Sequence, residues 1–184
     1  MIDAGIQVGV VYPQIELGGE ADAVRAIGDA IEAQGYRHLV AYDHVLGAEQ
    51  ADRQPELTGP YDENDPFHDP FVLFAYLAGR SDTLEFASGV LILPQRQTAL
   101  VAKQAADLAV LSGNRLRLGV GVGWNWVEYE ALGEDFATRG QRANEQIELL
   151  RRYWTEPTVS FAGRFDRVAR AGIVPRPSVP PPVW

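Results

Sequence analysis

The sequence contains no cysteine, so disulfides, thiolate nucleophiles and cysteine-bearing metal sites are excluded at once. Positive charge is scarce: 16 Lys and Arg stand against 25 Asp and Glu, a formal net charge of −9. No basic stripe is available to offset phosphate repulsion, which removes nucleic acid as a partner. The charge reads as a solubility device. No run of about 18 apolar residues exists, so no helix is expected to span a membrane. The stretch 1–14 lacks the basic start and apolar run of a leader. The expectation is a soluble, cytoplasmic protein. The three histidines, at 38, 44 and 68, have no tight ligand spacing, and no metal site is expected.

What is present is ordinary globular material. The 184 residues are 46% hydrophobic and 22% charged, enough for a single domain, 1–184, with a sizeable core. Ile6 to Val11 is a β-branched run ended by Tyr12-Pro13, a buried strand. Ala23, Ile27, Ala30 and Ile31 mark one face of a helix from Glu20 to Gln34, closed by Gly35. Arg37 to Tyr42 is a second strand leading into Asp43-His44, and a long polar loop, 45–68, follows. Loops of that length inside compact domains are functional or mobile. Asp69-Pro70 opens a helix to Gly79, with Asp as N-cap and Pro in the first turn. Leu84 to Leu93 is a third strand, Thr98 to Leu111 a helix, and Leu116 to Val122 a fourth strand. Asn125 to Leu132 reads as helical. Thr138 and Gln141 read as a capping box for a helix to Trp154. Beyond it, Val159 to Phe165 resembles a small hairpin, Arg170 to Pro182 is proline-rich, and the last residues, to Trp184, look like the entry to a fifth strand.

Strand starts at 6, 37, 84 and 115 recur at 31, 47 and 31 residues, the repeat of a βα unit. Strict alternation of strand and helix implies an α/β fold with a parallel sheet and right-handed crossovers. Two folds meet that description, an open doubly wound sheet and a (β/α)₈ barrel. A complete barrel takes about 250 residues. The barrel reading is therefore TIM-barrel-like and incomplete: four βα units plus the entry to strand five. In either fold ligands sit at the C-terminal ends of the strands. Weight falls on 12–14, Asp43-His44, 89–94 and 121–125.

Gly119, Gly121 and Gly123 invite a dinucleotide-binding reading, but G-x-G-x-x-G requires a third glycine where Trp124 or Trp126 stands. The glycines instead permit a crowded strand exit. His44, whose side chain titrates nearest neutrality, is a candidate acid, base or donor to a ring cofactor; the alternative is a solvated loop histidine. Trp124, Trp126 and Tyr129 could wall a planar ring or pack the next helix. Glu128 and Glu130 read as first-turn acids complementing the helix dipole, and the acidic loop 61–68 as a solvated loop.

The segments YDHVLGA (42–48), DPFHDPF (65–71), GVLILPQRQTALVAKQAADLAVLSG (89–113), GVGVGWNWVEYEALG (119–133) and FATRGQRANEQIELLRRYW (136–154) resemble the luciferase-like monooxygenases, in particular the coenzyme F420-dependent oxidoreductases. The resemblance implies a (β/α)₈ barrel with F420, or alternatively FMN, in its mouth, and a small organic substrate. It implies that His44 is the catalytic histidine beside the ring. Asp43, Gly89, Val90, Gly121, Gly123, Trp124 and Asn125 are implied to bind the cofactor, with a cis non-prolyl peptide at Gly89-Val90 or its neighbours supporting the ring face. A glutamate acid found near the end of strand four in some F420 dehydrogenases is replaced here by Val122, which disfavours sugar-phosphate dehydrogenation. Family members form complete barrels. The chain is thus expected to be a fragment, a truncated gene product, or a half-barrel completed by association as a homodimer. The alternative to an oxidoreductase is a catalytically incomplete half-barrel serving as an assembly partner or remnant.

Overall fold

The computed structural model describes residues 6–184; the leader reading of the N-terminus rests partly on residues 1–5, which lie outside it. The chain runs β1 (Gly9–Val11), α1 (Ala21–Ala33), β2 (His38–Ala41), α2 (Pro70–Ala78), β3 (Glu85–Ser88), β4 (Leu91–Ile92), α3 (Thr98–Leu111), β5 (Leu116–Arg117), β6 (Val120–Gly121), α4 (Trp126–Ala131), α5 (Arg139–Thr155), β7 (Val159–Ala162) and β8 (Arg167–Ala171). The α/β pattern read from the sequence is present, with shorter strands. The expected third strand breaks at Gly89-Val90, where the peptide bond is cis, and resumes as β4. The expected fourth strand runs as β5 and β6, and β6 pairs with β4 in parallel.

β1, β2, β3 and β5 form one parallel sheet in sequence order. At the chain's end Val183 bridges Leu118 in parallel. Each strand joins beside its predecessor, so the order never reverses as it does in a doubly wound sheet. Register sorts the side chains into two faces. The row Val10, Leu39, Phe86, Leu116 packs under the helices, with Leu39 and Phe86 fully buried beside Phe74, Leu77, Val101 and Ala105. Burying each such side chain contributes about 1.5–3 kcal/mol. The opposite rows are Gly9, His38, Glu85 and Val11, Val40, Ala87, Arg117. There Glu85 pairs with Arg117, while Val11 is 51% exposed.

Local chemistry sets the helix starts. Asp69 Oδ1 accepts the Phe71 and Val72 N–H groups at 2.9 and 3.1 Å, the N-cap read from the sequence. The capping box at Thr138 and Gln141 is not formed. Residues 136–138 make a 3₁₀ turn, which moves the cap back to Asp135; its carboxylate accepts the Ala137 N–H at 2.9 Å. Gln141 instead accepts from Arg164. The hairpin is longer than expected and uses β7 and β8 in antiparallel pairing. Its turn is held by Glu145 of α5, which accepts the N–H groups of Arg164, Phe165 and Asp166 at 2.7–2.9 Å.

Glycine is required where strands three and four approach each other. A Cβ at Gly119 would collide with the Ser88 carbonyl oxygen, and one at Gly121 with the Val90 side chain. The Gly119 carbonyl also accepts from the Ser88 hydroxyl and the Leu91 N–H, each at 2.8 Å. Gly119→Ala is expected to cost about 1–3 kcal/mol, read as a lower urea midpoint at unchanged slope.

Candidate active site

Three segments meet at the C-terminal ends of the strands: the exit of β2, the loop 45–68, and the link from β6 into α4. His44 follows directly on β2, and its side chain is 9% exposed. Its ring is caged by aromatics. Phe67, Tyr61 and Trp124 stand 4.7, 5.2 and 5.8 Å away between ring centroids, all edge-on. Edge-to-face contacts at such spacings are favourable beyond the area they bury. Tyr61 and Phe67 also meet edge-on at 4.8 Å. The long loop therefore closes over the histidine. Its Gly59 lies so close to the Trp124 ring that no side chain fits there.

Glu128 completes the arrangement. It sits in the first turn of α4 and is 1% exposed. Its Oε1 lies 3.3 Å from His44 Nδ1 and accepts the Val45 and Leu46 N–H groups at 2.8 and 3.2 Å. Its Oε2 accepts from Gln95 Nε2 at 3.1 Å. Burial alone would raise its pKa, yet the hydrogen bonds from His44 and Gln95, with the His44 charge and the Leu46 N–H, hold it below the ordinary value. An ionised carboxylate accepts only, so it selects the His44 tautomer with the proton on Nδ1. Nε2 is left as the basic nitrogen.

Asp43, implied to bind the cofactor, makes a network of its own within the chain. It is 2% exposed, and both oxygens are engaged by the protein. Oδ2 accepts the Ile92 N–H at 2.9 Å, and Arg96 binds both oxygens, at 2.6 and 3.3 Å. Arg96 reaches on to Asp69 at 2.8 Å. The carboxylate thus holds the exits of β2 and β4 to the start of α2.

The other expected residues fall into two groups. Val90 and Val122 are 38% and 39% exposed, the Val90 side chain lies over Gly121, and Gly89, Gly121 and Gly123 are partly open. Gly123 has φ +64° and packs under Ile92. Trp124 joins the cage. Asn125 is 2% exposed and caps α4 by accepting the Val127 and Glu128 N–H groups at 3.1 and 3.4 Å, so its side chain serves the helix. Tyr129 is fully buried and donates its hydroxyl to the Val122 carbonyl at 2.6 Å, the packing role of the two weighed from the sequence.

Sequence reasoning missed Glu128, Gln95, Tyr61 and Phe67. Glu128 occupies the position of a dipole-complementing acid, and only the return of the 45–68 loop buries it. Gln95 lies in an apolar run that carries no chemical signal. The segment 61–68, read as solvated, places two aromatic rings against His44.

The caged His44 and the exposed Val90, which lies over Gly121, both stand at the strand ends, where ligands sit in such sheets. Known proteins resemble this chain in sequence and in fold. An uncharacterized protein of Mycobacterium tuberculosis is 38% identical over 162 residues, covering 85% of this chain and 56% of its own. The F420-dependent hydroxymycolic acid dehydrogenase of the same species is 28% identical over 181 residues, covering 96% of this chain and 46% of its own. The solved monooxygenase RslO1 of Streptomyces bottropensis superposes with a TM-score of 0.79 at 20% identity, over 97% of this chain and 52% of that one. Other solved structures of this fold include an F420-dependent alcohol dehydrogenase and an FMN-bound monooxygenase. The chain spans about half the length of the curated relatives it matches. With residues 4–184 matching the luciferase-like monooxygenase family, the chain belongs to that family.

Proposed function

We propose that this chain is the strand-one to strand-four part of a (β/α)₈ oxidoreductase that binds coenzyme F420, with FMN as the alternative, and acts on a small organic substrate. The carrying observation is His44, caged by Tyr61, Phe67 and Trp124 and backed by Glu128 at 3.3 Å. Val90, Gly121, Gly123 and Val122 supply the surface for the ring. When bound, the deazaflavin or flavin supplies hydride acceptance and donation. The protein supplies the rest. His44 Nε2 takes a hydroxyl proton from a substrate being oxidised, or returns one to a carbonyl being reduced. Glu128 fixes its tautomer and stabilises the imidazolium. The loop 45–68 keeps water from the ring of His44.

Titrating the folded chain with F420 and with FMN, followed by cofactor fluorescence, tests this reading. Saturable binding of one of them is expected; binding of neither by folded protein overturns it. If turnover is found, His44→Ala should lower it by about 10²–10⁴-fold with cofactor affinity little changed.

The sheet favours a second, compatible reading. Its face away from the helices carries His38, Glu85, Arg117 and the exposed Val11, and Arg117 lies over the Trp184 ring at 5.4 Å. A (β/α)₈ barrel would cover this face. We propose that a second half-barrel does so, from a second copy in a homodimer when the chain stands alone. Light scattering should then give twice the chain mass. A folded species of single mass contradicts association.

A further inference from the structure

A cavity of about 370 Å³ opens at the ends of β1 and β2, in the size range of small-molecule sites. Its lining includes Val11, Ile15 and Glu16 from the exit of β1, together with Tyr42, Tyr61 and Phe67. Val11, Ile15 and Glu16 are exposed, and the three aromatic residues are half-buried, so all six keep surface that a ligand can touch. Tyr61 and Phe67 also belong to the His44 cage, which puts an occupant of the cavity beside that cage.

The shape and the charge of the cavity point to one kind of occupant. Tyr61 meets Phe67 at 4.8 Å between centroids with their planes at 74°, and Tyr42 stands 6.4 Å from Tyr61 at 38°. Planes set at such angles make a corner, not the parallel walls that grip a flat ring. A compact, rounded group fits a corner and touches more than one ring. A cation gains most there, because the ring quadrupoles attract positive charge within about 6 Å of a centroid.

Charge agrees with shape. Glu16 is the single charged residue among the described residues lining the cavity. Burial first, then Tyr42, Asp65 and Glu16, push the Tyr61 hydroxyl above its ordinary pKa, and no Lys or Arg opposes them. The field at this corner is therefore negative. An anion would meet Glu16 and find no cation in the wall, while a neutral group would gain nothing from either feature.

We infer that this cavity binds an organic cation, a small alkylammonium group seated between Tyr42, Tyr61 and Phe67 with Glu16 at its rim. As a substrate subsite it rests on the oxidoreductase reading, and the substrate then carries that ammonium group. Binding itself needs no cofactor.

The test uses the isotope-labelled full chain without cofactor, titrated with choline and separately with its neutral isostere dimethylbutanol, in which carbon replaces nitrogen. NMR follows both partners. Choline should shift the ring signals of Tyr42, Tyr61 and Phe67, and its own methyl protons should move upfield as they come to lie over ring faces. It should bind at least tenfold more tightly than dimethylbutanol. Glu16→Gln, at an exposed position, should narrow that gap. Tyr42→Leu should weaken choline binding about tenfold, whereas Tyr42→Phe, which keeps the ring, should bind nearly as the native chain does. Dimethylbutanol binding as tightly as choline overturns the inference, as does choline leaving these rings unmoved. Cofactor binding without choline binding removes the cation site alone. Choline binding without cofactor binding upholds the site and removes the redox reading.

Discussion

Glu128→Ala is expected to be the most damaging single change in the site. The substitution leaves the Val45 and Leu46 N–H groups, Gln95 Nε2 and His44 Nδ1 without their acceptor, a carboxylate that is itself 1% exposed. Removing one member of such a buried charged network costs about 3–5 kcal/mol, or roughly 10 °C in melting temperature for a chain of this size. Glu128→Gln should be far milder. Its carbonyl oxygen can still serve the two N–H groups and His44, and its amide can donate to Gln95 Oε1, which has no partner in the native site. Thermal melts of the two variants decide between a charge and a packing role: equal losses would mean the hydrogen-bond set is unimportant. The pH dependence has a fixed sign. Glu128 has a folded pKa below its ordinary 4.5, so its contribution is complete above that value and is lost as pH falls through the folded pKa. Acid unfolding of Glu128→Gln should lack that component.

Asp43→Ala is the second large effect. Asp43 takes the Ile92 N–H and both arms of Arg96, and Arg96 in turn holds Asp69, the cap of α2. The Arg96 carbonyl accepts from Gln146 of α5 at 2.8 Å. One carboxylate therefore links the exits of two strands to two helices. Its loss leaves Arg96 paired by Asp69 alone and the Ile92 N–H buried and free. A cost of about 3–5 kcal/mol is expected. Arg96→Met should cost less if Asp43 can protonate in the apolar surroundings that result, a difference that denaturant midpoints of the two variants would show. Similar losses in both would place the value in Arg96 rather than in the pair.

These two acids show where the sequence was readable and where it was not. Elements with local signals came through: the Asp69-Pro70 helix start and the βα spacing. So did the strand-end position of His44, because βα alternation fixes which end of the sheet carries function. Non-local pairing stayed hidden. Glu128 and Val45 are 83 residues apart, and Asp43 and Arg96 are 53 apart. No periodicity encodes such contacts. Asp43 and His44 are neighbours in sequence, yet their side chains enter different networks. One turns into the Arg96 network and the other into the aromatic cage. The capping box failed for a smaller reason. Asp135 lies three residues before Thr138 and caps first.

The central claim is that the surface around His44 receives the ring of a redox cofactor. Chemical-shift mapping of the labelled chain with F420, then with FMN, tests it most directly. One of them is expected to shift the His44 ring together with the amides of Val90, Gly121, Gly123 and Trp124. Cofactor binding that leaves those signals in place and moves another face of the chain would contradict it.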